Sequence, residues 1–339
     1  MAGVRQADRF RPDAPIGGAR RAARGGGRAA RLTFRDPDQY AEALRVAAAT
    51  LVITEPGDFQ ASLVRAELES VWLQRGHVSV GRIGRARVIA RSHFIFLAEE
   101  GVPQRWFGRD LGAADLFSLG GAEELAMSAA HGGTWGTLSF APEDLRRLSA
   151  ALLGRDLQVG EAGVVAQVRP PPAALARIRR LHRQLARLSR DRTDLIGVPA
   201  IAQRWDDALV RTLLDAVDVG EVVRERNTWR RHTQIVRRIE DALAAQPDQP
   251  LTLTELCLAT RVTERTLHAS CKEQYGVSPL QYLRLRRMNQ ARQALLRADP
   301  QSDTVTDVAA RHGFWELGRF AQRYRALFGE SPRQTLRRR

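Results

Sequence analysis

The sequence predicts an α+β protein of more than one domain, with a β-rich N-terminal part closed by helices and an all-α C-terminal part. Three observations predict it. Short β-prone runs alternate with glycine-containing turns from Leu51 to about Val168, and apolar residues at helical spacing follow the prolines at 170–172. One short helical pattern then occurs twice in the last third. A chain of 339 residues with 44% hydrophobic and 27% charged residues is too long for one small domain and has the balance of a folded soluble protein.

Residues 1–31 are Arg, Ala, Gly and Pro, including RRAARGGGR, and offer almost nothing to bury. A disordered basic extension is expected there, either solvated or touching nucleic acid. Residues 32–225 are expected to form a β-rich regulatory or dimerisation domain. Phe34 to Arg45 suits a short helix. The runs FQASLVRAEL, HVSVGRI, RVIARSHFIFLAE, GTWGTLSF and AGVVAQVR suit strands of a sandwich or barrel, interrupted by a helix near Pro142 to Leu153. From about residue 173, Leu175, Ile178, Leu181, Leu185 and Leu188 form one helical stripe, and Trp205, Leu209, Leu213 and Val217 form a second. Such stripes pack either on their own β domain or between subunits of a homodimer. A charged segment around Glu225 to Arg231 leads to a last domain over residues 230–339.

Several classes of protein are excluded. The richest apolar stretch, Ala41 to Ile53, is short and interrupted by Arg45, so no membrane span is expected. The first 30 residues lack the apolar core of a secretory signal, which makes the cytoplasm the expected compartment. Cys257 and Cys271 have no CxxC spacing and read as small buried hydrophobes. His77, His93 and His131 stand singly, without the HxH spacing of a metal site. No phosphate loop, GxSxG elbow, HExxH or paired-carboxylate motif occurs, so no catalytic residue, cofactor or metal is expected.

The formal charge is +15, which favours a polyanionic partner. Lys272 is the only lysine among 53 basic residues, so the position of the charge is more telling than its total. Residues 230–339 hold 20 basic and 11 acidic side chains, a net +9 in about a third of the chain.

In that third, GFWELGRFAQRYRALFGESP (Gly313 to Pro332) repeats the pattern of VTERTLHASCKEQYGVSP (Val262 to Pro279). With Gly276 set against Gly329, Leu267 matches Phe320, Cys271 matches Tyr324, Lys272 matches Arg325, Tyr275 matches Phe328, and GVSP matches GESP. The apolar matches fall at i, i+4 and i+8, one face of a helix. A shorter helix is expected upstream of each, Leu251 to Thr260 and Thr304 to Gly313, with Leu256 and Val308 pointing inward. Two short helices joined by a tight turn are a helix-turn-helix. The two motifs are expected at about 251–274 and 304–327. Thr263 is a good N-cap for the first second-helix, and Glu316, its counterpart, a poorer one.

Between them runs SPLQYLRLRRMNQARQALLRA, whose Leu280, Leu283, Met288, Ala291 and Leu295 suit one continuous helix over about 278–297. About 20 residues at 1.5 Å each span about 30 Å, close to the ~34 Å between successive major grooves on one face of B-DNA. One chain can then place a helix in each groove.

With LTELCLATRVTERTL, GVSPLQYLRLRRMNQAR and VTDVAARHGFWELGRFAQRYRALFGESP in view, the region from about Arg230 to Arg337 resembles the C-terminal domain of the AraC/XylS family of bacterial transcription regulators. The preceding region matches that family's sensing half, often a cupin-like β barrel followed by helices, in layout only. The resemblance implies promoter binding, contact with RNA polymerase, often activation, and a small-molecule effector. It places Arg265, Thr266, His268 and Ala269 on the first base-reading face, and Leu317, Gly318, Ala321 and Gln322 on the second. Arg265 leads because a guanidinium can bond guanine O6 and N7 together; His268 and Gln322 follow. Arg319, Arg323 and Arg325 remain for phosphates or salt bridges.

Two departures matter. Cys271 stands where the family often has an aromatic, so that core is expected to be less full. Leu317 and Gly318 stand where polar readers often occur, so less base reading is expected from the second motif. The expected function is an effector-responsive, sequence-specific regulator of transcription on double-stranded DNA, acting as a dimer. In the expected coupling, effector binding moves the helices at 173–220 and thereby the DNA-binding domains. The rivals are a cupin-type metal enzyme fused to a DNA-targeting module, and a nucleic-acid-binding protein without sequence preference.

Overall fold

The computed structural model describes residues 26–46, 48–99, 101, 104–120, 124–157, 165–223, 227–246 and 251–338. Its first part is built from β1 (Arg28–Phe34), α1 (Pro37–Ala43), β2 (Ala48–Ile53), β3 (Ala61–Glu67), β4 (Val71–Val78), β5 (Arg82–Arg87) and β6 (Ser92–Leu97). Then come β7 (Gln104–Trp106), β8 (Arg109–Leu111), β9 (Leu116–Leu119), β10 (Glu124–Ala129), β11 (Gly133–Phe140), α2 (Pro142–Leu153) and β12 (Val165–Arg169). Helices α3 (Pro172–Asp191), α4 (Thr193–Ile196) and α5 (Pro199–Asp218) and the short β13 (Glu221–Val223) complete it.

The strands form two sheets, ordered β1-β3-β4-β11-β6-β9-β12-β13 and β2-β5-β10-β7-β8, antiparallel in every pairing among the described residues. Alternation of side chains along each strand decides which layer each residue fills. In the larger sheet Ile95 and Leu97 face the smaller sheet, whereas Phe94, Phe96, Leu138 and Phe140 face outward, under α3 and α5. Leu175, Ile178 and Leu185 of α3 and Leu209 and Leu213 of α5 join that outer core. Two polar ties fix the helices: His182 Nε2 lies 3.0 Å from the Gln74 carbonyl, and Asp206 accepts from the Ser70 and Val71 amides at 2.9 and 3.0 Å. The helical stripes thus pack on their own β domain.

Four local readings change. Strand β1 starts at Arg28, inside the stretch expected to lack structure; residues 1–25 lie outside the described residues. Its ladder to β3, from Arg28↔Glu67 to Phe34↔Ala61, uses main-chain groups and requires few apolar side chains. The helix expected over Phe34 to Arg45 is limited to Pro37–Ala43, because Asp36 caps it by accepting from Asp38 and Gln39 amides at 2.9 and 3.1 Å. HVSVGRI is not one strand but the end of β4, a turn and the start of β5. A Cβ on Gly81 in that turn would stand 2.2 Å from the Ala130 carbonyl oxygen, so only glycine fits. RVIARSHFIFLAE is not one strand: Arg87 ends β5 and Ser92–Leu97 form β6.

The second part is helical: α6 (Asn227–Ala245), α7 (Leu253–Thr260), α8 (Glu264–Tyr275), α9 (Pro279–Arg297), α10 (Val305–Arg311), α11 (Leu317–Phe328) and α12 (Pro332–Leu336). It docks on the outer face of the smaller sheet, where Val52, Ile83 and Ala126 enter the core formed by Ile239, Leu256, Leu267 and Leu283. The coupling expected through the helices at 173–220 therefore needs another route, because α3 and α5 cover the other sheet. Asn289 of α9 forms the most specific tie at the seam. Its Oδ1 accepts from the Ile53 amide at 3.0 Å and its Nδ2 donates to the Ile53 carbonyl at 3.2 Å, reproducing what a neighbouring strand would supply.

Two buried histidines make the fold sensitive to acid. Burial pushes His93 down to about 4, and burial with the nearby Arg75 guanidinium pushes His182 down to about 3. Both are neutral when folded, so below about pH 6.5 the unfolded chain binds protons that the folded chain refuses. The urea midpoint is expected to fall between pH 7 and 5, with each histidine contributing up to about 1.4 kcal/mol per pH unit. In His182→Gln the fall should be shallower, whatever the variant's stability at pH 7.

Candidate nucleic-acid interface

The two helix-turn-helix units are α7–α8 and α10–α11. In the first, Thr252 caps α7 through a reciprocal pair, its Oγ1 accepting from the Glu255 amide at 3.3 Å while Glu255 Oε2 accepts from the Thr252 amide at 2.7 Å. Arg261 ends α7 in the left-handed region, φ 55°, and so turns the chain sharply into α8. Thr263 caps α8 by accepting from the Thr266 amide at 3.3 Å. In the second unit Thr304 caps α10, but Glu316 gives α11 no side-chain cap and instead pairs with Arg319 at 2.9 Å. Gly276 and Gly329 close α8 and α11 at φ 75° and 74°, the left-handed position that glycine occupies at least cost.

The repeated stripe is buried in both units: Leu267, Cys271 and Tyr275 in one, Phe320 and Tyr324 in the other, with Phe328 partly covered. Leu256 and Val308 lie inward as the spacing predicts. Each second helix thereby turns its opposite face outward. Arg265, His268 and Ala269 are exposed on α8, and Leu317, Gly318, Arg319, Gln322, Arg323 and Arg325 on α11. Thr266 and Ala321 are half-buried, and the Thr266 hydroxyl lies 3.0 Å from that of Thr263, which ties it to the cap. A Cβ on Gly318 would meet nothing within 4 Å, so no packing requires the glycine there.

Helix α9 joins the units without a break over 19 residues. Met288, Ala291 and Leu295 belong to the second unit's core and Leu283 to the first's. Leu280 is exposed. In that first turn the inward positions go to Pro279, Tyr282 and Leu283, and Tyr282 stacks on Tyr275 with ring centroids 4.6 Å apart. The buried Glu240 carboxylate anchors the same corner, accepting from Tyr275, Tyr282, Arg286 at 2.7 Å and Arg85 at 3.1 Å. Cys271 sits fully buried beside this corner, its thiol pushed up to about 12 by burial and by Glu240.

Sequence reasoning passed over Trp315. It stands just before Glu316, the N-cap position of α11, is 81% exposed, and lines a surface groove of about 300 Å³ with Leu280, Arg284, Arg287, Arg319 and Arg323. The available signal was an aromatic off the buried stripe beside a cap position. The three histidines considered for metal lie apart: His77 beside Thr134, His93 bonded to Ser139 at 2.8 Å, and His131 paired with Glu55 at 2.6 Å. Among the described residues no three potential ligands gather, and no helix is long and apolar enough to cross a membrane.

A family profile described as a helix-turn-helix domain matches residues 256–338. The chain is 43% identical over 103 residues to a probable thc operon regulatory protein of Rhodococcus erythropolis, covering 30% of this chain and 31% of that one. It is 36% identical over 108 residues to XylDLEGF operon transcriptional activator 3 of Pseudomonas putida, covering 31% of each. The C-terminal domain is a helix-turn-helix domain of the AraC/XylS family. The match spans about a third of the length of these curated relatives. Among solved structures, that of the AraC-like transcriptional activator CuxR aligns over 77% of this chain and 95% of its own, with 14% identity and a TM-score of 0.40.

The unequal caps of this AraC/XylS-type domain yield a direct test. Thr263→Ala should cost about 1 kcal/mol of stability in urea unfolding, the usual worth of an N-cap hydroxyl. Glu316→Ala should change little, because its side chain caps no amide and its ion pair with Arg319 is exposed.

Proposed function

We propose that this chain is a transcription regulator that binds double-stranded promoter DNA in a sequence-specific manner, as a homodimer, under control of a small-molecule effector, with RNA polymerase as a further partner. One observation carries the reading. Two helix-turn-helix units with the same buried stripe hold exposed second helices at the two ends of a single helix of 19 residues, about 28 Å long. That length is close to one turn of B-DNA, about 34 Å, and so suits successive major grooves.

In this reading α8 carries most base selection. Arg265 stands exposed in its first turn, beside His268, and offers two parallel donors to guanine. Thr266 is tied to the cap and contributes less. In α11 Gln322 remains a polar reader, Leu317 offers only apolar contact, and Arg323 and Arg325 hold phosphates. Trp315 joins this surface, giving an apolar contact where the helix begins. The effector belongs to the β-rich part, coupled to DNA binding through the smaller sheet on which α8 and α9 dock. Names of the relatives describe operon regulation and activation, in keeping with this reading.

Selection from random duplexes at physiological salt should return two half-motifs per protomer about one helical turn apart. Binding without any preferred sequence would reject the reading, because charge alone gives only salt-sensitive, sequence-independent affinity. Arg265→Ala should relax preference at one base pair and cost about 1–3 kcal/mol there, whereas Arg323→Ala should weaken all duplexes alike. If both variants behave the same, the assigned roles are wrong. Trp315→Ala should weaken the selected site while leaving the unfolding free energy in urea within about 0.5 kcal/mol, as for an exposed side chain; unchanged affinity in filter or gel-shift titration would remove Trp315 from the interface.

A further inference from the structure

Between the two sheets a guanidinium stands without a counter-ion among the described residues. Arg82 points inward from β5, is 2% exposed, and neither of its terminal nitrogens has a hydrogen-bond partner among the described residues. An arginine cannot relieve such burial by losing its proton, so it stays charged. Buried charges are ordinarily paired, and an unpaired one is costly unless something arrives to neutralise it.

Arg82 borders a cavity of about 80 Å³. Its remaining walls are mainly hydrocarbon, with Leu51, Ile95, Trp106, Leu125 and Met127 among them, and no acidic side chain lines it among the described residues. The other arginines on its lining already have counter-ions, Arg45 in Glu67 at 3.0 Å and Arg85 in Glu240 at 3.1 Å. His93 is bonded to Ser139 and Ile89. Thr137 also lines the cavity, and its buried hydroxyl, like the Arg82 terminal nitrogens, has no hydrogen-bond partner among the described residues.

We infer that this cavity binds a small organic monoanion, a carboxylate on an apolar body, with Arg82 as its two-pronged anchor and the Thr137 hydroxyl as a donor to it. One guanidinium matches one carboxylate in both charge and geometry. A phosphate or other dianion would keep uncompensated charge against hydrocarbon walls. The volume is about half that of an engineered 150 Å³ cavity known to take benzene, which points to a compact acid, with the flexible Met127 side chain able to yield to a larger one. The inference rests on reading the β-rich part as the sensing part, and it gives that part a ligand class. The seat is close to the seam: Arg82 pairs across β2–β5 with Ile53, whose amide and carbonyl are both held by Asn289 of α9.

The test uses the full chain without DNA. Butyrate, isovalerate and benzoate, their three amides, and inorganic phosphate are titrated, following the thermal midpoint and the fluorescence of Trp106 and Trp135, which both line the cavity. At least one acid should bind saturably, and its amide at least about tenfold more weakly. Arg82→Met should lose that acid at least about tenfold while melting no lower than the parent, since it removes an unpaired buried charge. The inference is overturned if none of the acids changes either signal, if acid and amide bind alike, if folded Arg82→Met keeps the affinity, or if phosphate binds more tightly than every acid. Should Arg82→Met fail to fold, the comparison of acid with amide on the parent protein decides alone. Since DNA is absent, a negative result leaves the DNA-binding reading intact, and a failed duplex selection leaves this one intact.

Discussion

The constraint on which the rest depends is that the five-stranded sheet is buried on both faces. Successive residues of β2, β5 and β10 alternate between the inter-sheet space and the helical domain: Leu51, Arg82 and Met127 point one way, and Val52, Ile83 and Ala126 the other. A sheet used in this way cannot shift by one residue without exchanging a cavity lining for a docking core. The register that seats α9 against Ile53 is therefore the register that puts Arg82 in the interior.

The helical domain is held to that sheet by few but specific groups. Asn289 satisfies both main-chain groups of one residue of β2, and Glu240 joins α6, α8 and α9 to Arg85 of β5. Arg105 donates to the Lys272 carbonyl at 3.0 Å near the end of α8. These ties grip the C-terminal half of α8 and leave its first turn open. Buried polar ties cost much to leave unmade, so they fix one docking arrangement more sharply than apolar contact alone.

Within the helical domain the duplication separates two kinds of constraint. The buried stripe must fill a core, and a lost large side chain there costs roughly 2–5 kcal/mol. Exposed positions carry no such cost and diverge freely, which is why α8 opens with a capped, arginine-bearing turn and α11 with an uncapped Leu317–Gly318 turn preceded by Trp315.

The sequence by itself determined what repeats at short range. Periodicity marked α2, α3 and α5, the shared stripe and glycine stops marked α8 and α11, and the Thr263 hydroxyl marked a cap, because each depends on neighbours within a few residues. It also located Arg265 and Gln322 on outward faces, as the complement of the buried stripe. Tertiary structure decided the rest. Strand β1 is made by a ladder to β3 rather than by its own composition, and Leu280 is turned outward by the packing of Tyr282 on Tyr275. The side of the β domain that meets the helices, and the isolation of Arg82, follow from contacts between residues more than 200 positions apart. No local pattern carries such information, since a buried arginine without a partner reads in the sequence like any other arginine on a strand.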